Sequence, residues 1–193
     1  MLKNFLEGID FSVNIISRNH PVLVLAIHGG GIEPFTSDIA RAIAGDDFNL
    51  YEFRGIRKTN NWELHIPSTE FKDERLDFLI DKCAVAISIH GERSHQNKLE
   101  VGGLNFILRD LIIKHVMING FTVHEPRLGL RATNINNVVN RPKLHGVQIE
   151  VSRGLRKSMQ GGITSSDNSI FRLFVSSVRA AAYEYLTRFE EKL

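Results

Sequence analysis

Four side chains in this sequence have types and positions suited to handling one ion and one proton. His28 and Glu33 stand in the spacing H-x4-E with Gly29, Gly30 and Gly31 between them, and His90 closes a second apolar run just before Gly91. Glu150 alternates with Val147, Ile149 and Val151 in GVQIEVS, turned away from their apolar face. Neutral imidazole and carboxylate are what a chain without spare cysteines can offer zinc, and a catalytic zinc takes three such ligands with a fourth position open. Cys83 is the only cysteine, so a cysteine-rich zinc site and an intramolecular disulfide are both ruled out, and the thiol reads as a small core hydrophobe. A carboxylate of raised pKa can take a proton from an attacking water and pass it to a leaving amine, the role open to Glu150. Each residue also has a plain reading: a strand-end histidine with a structural hydrogen bond, a solvated loop acid, a surface carboxylate paired with Arg153.

The glycines between His28 and Glu33 admit three rival readings, each with a demand elsewhere in the chain. A dinucleotide fingerprint needs G-x-G-x-x-G, but Pro34 occupies the third glycine position, and a Walker loop needs a G-K-[ST] that is absent. HGGG after a strand also forms the oxyanion hole of lipases and esterases, which pair it with a G-x-S-x-G elbow; no such elbow occurs here. Around Glu150, the residues Arg131, Asn140, Arg141, Arg153 and Arg156 bring more cationic character than a neutral substrate needs. Guanidinium forks match carboxylates, so an acidic substrate is expected to touch one or two of them. His95 forms a second-ranked H-x4-H pair with His90. His20, His65, His115, His124 and His145 are expected to be structural, His115 as a satisfied core histidine, with His145 close enough to Glu150 in sequence to assist.

These residues need strands to deliver them. Val22 to Ile27 ends at His28 and Ala84 to Ile89 ends at His90, both near-continuous apolar runs of the kind buried on two faces. Phe11, Val13 and Ile15 alternate with polar residues before the turn at Arg18 to Pro21, which predicts a hairpin with the Val22 strand. Phe48 to Phe53, Phe121 to His124 and Gly146 to Ser152 are further strands. Thr36 or Ser37 is expected to cap a short helix to about Ala44, with Gly45 at its end. Lys72 to Cys83 predicts a helix; so do Leu104, Ile107, Leu108, Leu111 and Ile112, with an end at Asn119 and Gly120. Asn168 to Phe189 predicts a long helix with Phe171, Phe174, Val178, Tyr185 and Phe189 on one face. Gly91 to Gly103 reads as a long loop or short ribbon, and Glu125 to Arg141 as irregular. Strands alternating with helices imply one α/β domain over 1–193, an open, mixed but mostly parallel sheet flanked by helices, where ligands gather at the carboxyl ends of strands. His28, His90 and Glu150 sit at or near such ends.

With 193 residues, 42% hydrophobic and 24% charged, the chain can bury a substantial core. A formal net charge of +2 gives no global field for nucleic acid, and no nucleic-acid partner is expected. No apolar run approaches a membrane span, so no membrane association is expected either. The first residues carry Glu7 and Asp10 and lack a sustained apolar stretch, so they do not read as a signal peptide. The expected location is the cytoplasm, with release on lysis as the route to any work outside the cell. No feature fixes an oligomeric state.

Read together, HGGGIEP with TSDIARAIAG, then SIHG, GGLN, NRP and GVQIEVSRGLR resemble the zinc-dependent poly-γ-glutamate hydrolases of bacteriophages and bacilli, over roughly residues 11 to 190. The resemblance implies a fold similar to zinc carboxypeptidases, one Zn2+ per chain on His28, Glu33 and His90, and Glu150 as catalytic acid/base. It implies the acidic polymer poly-γ-glutamate as substrate, with Asn140–Arg141 as a counterpart in kind of the superfamily's carboxylate-binding Asn-Arg pair. Two departures stand out: H-x4-E replaces the superfamily's H-x2-E, and Phe35 stands where a glycine is expected, which would narrow the pocket. Two other functions stay open: a zinc hydrolase of small N-acyl or γ-glutamyl amino acids, and a non-enzymatic phage DNA-associated protein.

Overall fold

The computed structural model describes residues 4–160 and 169–189, so the expected helix start at Asn168 and the side chain of Phe189 lie outside the described residues. The apolar runs form strands β1 (Phe11–Ile16), β2 (Val22–Gly30), β3 (Asn49–Gly55), β4 (Val85–Glu92), β5 (Leu99–Gly103), β6 (Val123–His124) and β7 (Gly146–Ser152). They make one sheet in the order β1-β3-β2-β4-β7-β5-β6. The central four, β3, β2, β4 and β7, run parallel, while β1 and β5 join β3 and β7 antiparallel. The expected mixed, mostly parallel open sheet is therefore what forms.

The expected β1–β2 hairpin does not. β1 pairs with β3, Phe11 opposite Gly55 and Ile16 opposite Leu50, and β2 takes β3 and β4 as parallel neighbours. A strand apolar on both faces belongs inside a sheet, whereas the alternating, half-buried β1 suits its edge. The expected ribbon after Gly91 is also more ordered than foreseen, since Leu99 to Gly103 pairs with β7.

Helices α1 (Thr36–Ala44), α3 (Phe106–Ile118), α4 (Arg153–Gln160) and α5 (Ser169–Phe189) cover one face, and α2 (Glu74–Ile80) lies on the other. On the first face Val24, Ala26, Ile87, Ile89, Ile149 and Val151 pack against Ile39, Ile112, Leu155, Met159 and Phe174. On the second, Leu23, Leu25, Ile27 and Ala86 pack against Leu64, Ile66, Phe71, Leu76 and Val139, largely from irregular chain. Alternation along β4 and β7 therefore leaves His90, Gln148 and Glu150 on the second face.

Three local expectations need correction. α3 buries Leu108, Leu111, Ile112 and Val116, while Ile107 is exposed. α4 follows β7 directly and was not read from the sequence. Neither Thr36 nor Ser37 caps α1: Phe35 precedes the helix at φ 78, and the Thr36 hydroxyl donates to the Glu33 carbonyl at 2.8 Å. That left-handed backbone is why a glycine looks natural at position 35. The Phe35 ring offsets the strain by packing into the helix-side core, 5.6 Å from the Phe171 ring centre, so it does not narrow the pocket.

Candidate metal centre and cleft

Strict alternation along β2 would put His28 on the same face as Ala26, under the helices. The register with β3 advances three residues on β2, Ala26 to Gly29, against two on β3, Glu52 to Arg54. The extra residue is a bulge, a device that re-aims a side chain, and it turns His28 toward His90. Gly29 tolerates this crowding only without a side chain, since a Cβ there would lie 2.0 Å from the Ser37 hydroxyl oxygen. The chain then turns back at once: the Glu33 N–H donates to the His28 carbonyl at 2.9 Å, which carries the carboxylate over the imidazole.

His28 Nδ1 lies 3.1 Å from His90 Nδ1 and 3.2 Å from Glu33 Oε1, and His90 Nδ1 lies 3.7 Å from Glu33 Oε2. Around a tetrahedral zinc with bonds of about 2.0–2.1 Å, neighbouring donors sit about 3.3 Å apart. The two imidazole nitrogens and the two carboxylate oxygens, 3.1–3.7 Å apart across these contacts, are near that spacing. His28 Nε2 is 2.7 Å from the Ile66 carbonyl, which can only accept, so the neutral ring carries its proton on Nε2 and presents the Nδ1 lone pair to the Glu33 carboxylate, which also only accepts. A cation among them relieves that opposition, and the donor set fits one.

His65 is the neighbour that sequence reasoning missed. Its Nε2 is 3.4 Å from Glu33 Oε1, and His28, Glu33 and His65 also bring ligand atoms close together. Its ring, however, is stacked on His28 with centres 3.8 Å apart and planes at 26°, whereas the His28 and His90 rings meet at 80°. Nitrogen lone pairs lie in the ring plane, so stacked rings cannot both aim at one point about 2 Å away, and crossed rings can. The crossed pair, His28 with His90, has the orientation that a shared ion requires. No spacing rule announces His65, which arrives from the end of a 3-10 turn at Asn61–Leu64.

The electrostatics of the group are those of a buried site. Burial opposes ionisation of Glu33, but its interactions with His28 and His65 and then with His90 outweigh it, and its carboxyl sits well below the usual range. Burial holds the His90 imidazole down to about 3, against the pull of Glu33. Glu150, opposite His90 in the β4–β7 register, moves the other way: burial and then the Glu33 charge push it up to about 8, while a hydrogen bond from Gln148 pulls it back. That bond, Gln148 Nε2 to Glu150 Oε1, is 2.8 Å, and Asn137 Nδ2 in turn donates to Gln148 Oε1 at 3.0 Å. Asn137 and Gln148 were not singled out in the sequence. A polar residue alternating with Glu150 on an otherwise apolar strand was the available signal.

Around these side chains lies a cleft of about 430 Å³ lined by His28, Glu33, His65, His90, Gln148 and Glu150 together with Arg93 and Arg127. The arginines expected there divide. Arg153 and Arg156 border an adjoining cavity. Asn140 is buried and structural, donating to the Ala132 and Asn134 carbonyls and accepting from the Leu104 N–H. Arg141 points away, to Asp77 and the Phe71 carbonyl. Arg131 borders a separate cavity with Arg109 and His124. Of residues 131–141, Asn137 lines the cleft, while Arg131, Asn140 and Arg141 are turned to other partners or another cavity. His95 and His145 do not line the cleft, His145 being held by the Asn140 carbonyl at 2.8 Å. His115 is half-buried against Glu184, partnered but not in the core.

The family model described as poly-gamma-glutamate hydrolase matches residues 1–177. The UPF0714 protein YndL of Bacillus subtilis is 35% identical over 166 residues, 83% of this chain. This chain belongs to the poly-gamma-glutamate hydrolase family. A solved bacteriophage poly-gamma-glutamate hydrolase superposes with a TM-score of 0.88 at 26% identity, covering 95% of this chain and 93% of that one. A zinc-free structure of YndL gives 0.86 at 29% identity, with 94% and 93% covered. A metallo-carboxypeptidase from Burkholderia cenocepacia shares the fold alone, at TM-score 0.51 and 10% identity over 88% of this chain and 57% of its own. By sequence, the chain spans 64% of the length of its curated relative YndL.

Proposed function

We propose that this chain is a zinc-dependent amidohydrolase that cuts γ-glutamyl amide bonds in poly-γ-glutamate. The observation that carries the reading is the convergence of His28 Nδ1, His90 Nδ1 and the Glu33 carboxylate next to a buried carboxyl, Glu150, poised near neutrality. His28, Glu33 and His90 would hold one zinc ion. When bound, zinc supplies Lewis-acid polarisation of the scissile carbonyl and of water.

The chain's own groups do the rest. The Ile66 carbonyl keeps the His28 ring in the tautomer that exposes Nδ1, and the Gly91 N–H steadies Glu33 Oε2 at 2.7 Å. Gln148 occupies Glu150 Oε1, which leaves Oε2 to receive the proton of the attacking water and deliver it to the leaving nitrogen. A carboxyl near 8 can move a proton in both directions at neutral pH. Arg127 shares its charge with Glu92 at 2.6 Å, whereas Arg93 makes no hydrogen bond or ion pair with any described residue and is the cleft's free guanidinium for a substrate carboxylate.

Size separation of poly-γ-glutamate after incubation with zinc-loaded protein tests the reading. Wild type should shorten the polymer, and Glu150→Gln should slow it by about 10²–10⁴-fold with zinc content retained. Equal cleavage by both removes Glu150 from the mechanism. Turnover of a γ-glutamyl dipeptide with the polymer spared moves the substrate to small amides.

A further inference from the structure

Beyond the histidine-lined cleft lies a second cavity of about 720 Å³, and the two share Glu33, His65, Gly91 and Arg93. Glu33 thus sits where the two cavities adjoin. Four cations line this second lobe, Arg93, Arg153, Arg156 and Lys157, against two acids. One acid, Glu33, faces the histidines, and the other, Glu63, is paired with Arg57 at 2.6 Å. Arg93, Arg153 and Lys157 are exposed, and their side chains form no hydrogen bond or ion pair with any described residue.

The arrangement is built. On α4, Leu155 and Met159 enter the helix-side core, which leaves Arg153, Lys157 and Gln160 as a stripe on the lobe. Arg153 and Lys157 stand four apart, on one face of the helix. Beneath them Arg156 is buried, its three donor nitrogens on the carbonyls of Val151, Pro34 and Glu92 at 3.1, 2.5 and 3.2 Å. No carboxylate is bonded to it, so its charge adds to the field of the lobe. On the rim Trp62 is 67% exposed, a flat apolar face beside the cations.

We infer that this lobe is a polymer subsite: Arg153, Lys157 and Arg93 take successive α-carboxylates of a γ-linked glutamyl chain on one side of the bond to be cut, and Trp62 lies along its methylene groups. A γ-linked residue leaves its α-carboxylate free, so the ligand presents an anion at every unit, separated by an apolar segment, which matches unpaired cations interleaved with an indole. The inference rests on the proposed polymer substrate and adds where the polymer lies and why longer chains would be preferred.

The test compares zinc-loaded wild type, Arg153→Glu/Lys157→Glu, and a charge-matched control, Lys72→Glu/Lys143→Glu, whose lysines are exposed and outside both cavities. Cleavage of long poly-γ-glutamate and of a γ-glutamyl dipeptide is followed, and polymer binding is measured separately by calorimetry on the Glu150→Gln background. Reversing the two α4 charges should raise KM for the polymer about tenfold, lower the polymer-to-dipeptide efficiency ratio similarly, and weaken polymer binding to the same extent, with zinc content unchanged. The control should behave as wild type. Polymer KM and binding unmoved by the α4 reversal overturn the subsite and leave the proposed activity standing. Polymer binding that depends on Arg153 and Lys157 without cleavage supports the subsite and overturns the activity; no binding by any variant overturns both.

Discussion

Gly91→Ala should destabilise the protein by about 2–4 kcal/mol. A Cβ at position 91 would lie 2.8 Å from Arg156 Cζ and 2.9 Å from both Nη atoms, and ordinary contact begins near 3.4 Å, so the guanidinium must retreat by roughly 0.6 Å. The tip of an arginine normally swings aside at little cost. This one is buried and fixed to three carbonyls, and burial already lowers its pKa, so there is no solvated position to retreat to without breaking bonds. Each hydrogen bond from a charged donor contributes about 1.5–3 kcal/mol, and a shift of that size weakens one or two of them. Urea denaturation of Gly91→Ala, Arg156→Met and the double variant measures the effect and its origin. If the clash is the cause, Gly91→Ala should cost much less in the Arg156→Met background, a coupling of about 1–2 kcal/mol. A Gly91→Ala protein within about 0.5 kcal/mol of wild type, or costs that simply add, would refute the argument.

Chelation should lower the melting temperature, and stoichiometric zinc should be lost in His28→Ala and His90→Ala but kept in His65→Ala, as read by metal analysis. Because the folded Glu150 carboxyl is raised to about 8 from an ordinary 4.5, the folded chain binds the extra proton between those values. Stability of chelated protein should therefore fall as pH rises through that window, by at most about 1.4 kcal/mol per pH unit from this group, and Glu150→Gln should remove that component in denaturation measured across pH. Phe35→Gly should relieve backbone strain of about 1 kcal/mol yet lose a buried ring worth about 3–5 kcal/mol, for a net loss of about 2–4 kcal/mol with zinc binding intact; a gain in stability would mean that the φ of 78 dominates.

How much of this was legible in the sequence depends on the range of the physics involved. Strand and helix existence is written in short apolar periods, so β2, β4, β7, α1 and α5 were readable, and so was a mostly parallel sheet. Chemical type is equally local: an H-x4-E around three glycines, a histidine ending a second buried strand and a glutamate alternating with valines mark metal and proton chemistry before any fold is known. Which residues meet is not local. The β2 bulge that turns His28 to His90 depends on pairing with β3, and His65 stacks on His28 only because the 3-10 turn at Asn61–Leu64 packs over β2. Sequence proximity to Glu150 favoured Arg141 and Asn140, yet both are turned to other partners, and Arg93 and Arg127 reach the cleft from elsewhere. The sequence by itself determined the elements and the kind of chemistry, because periodicity and side-chain type act within a few residues. Only the tertiary structure decided the partners, because donor distances, lone-pair directions and burial are set by segments far apart along the chain.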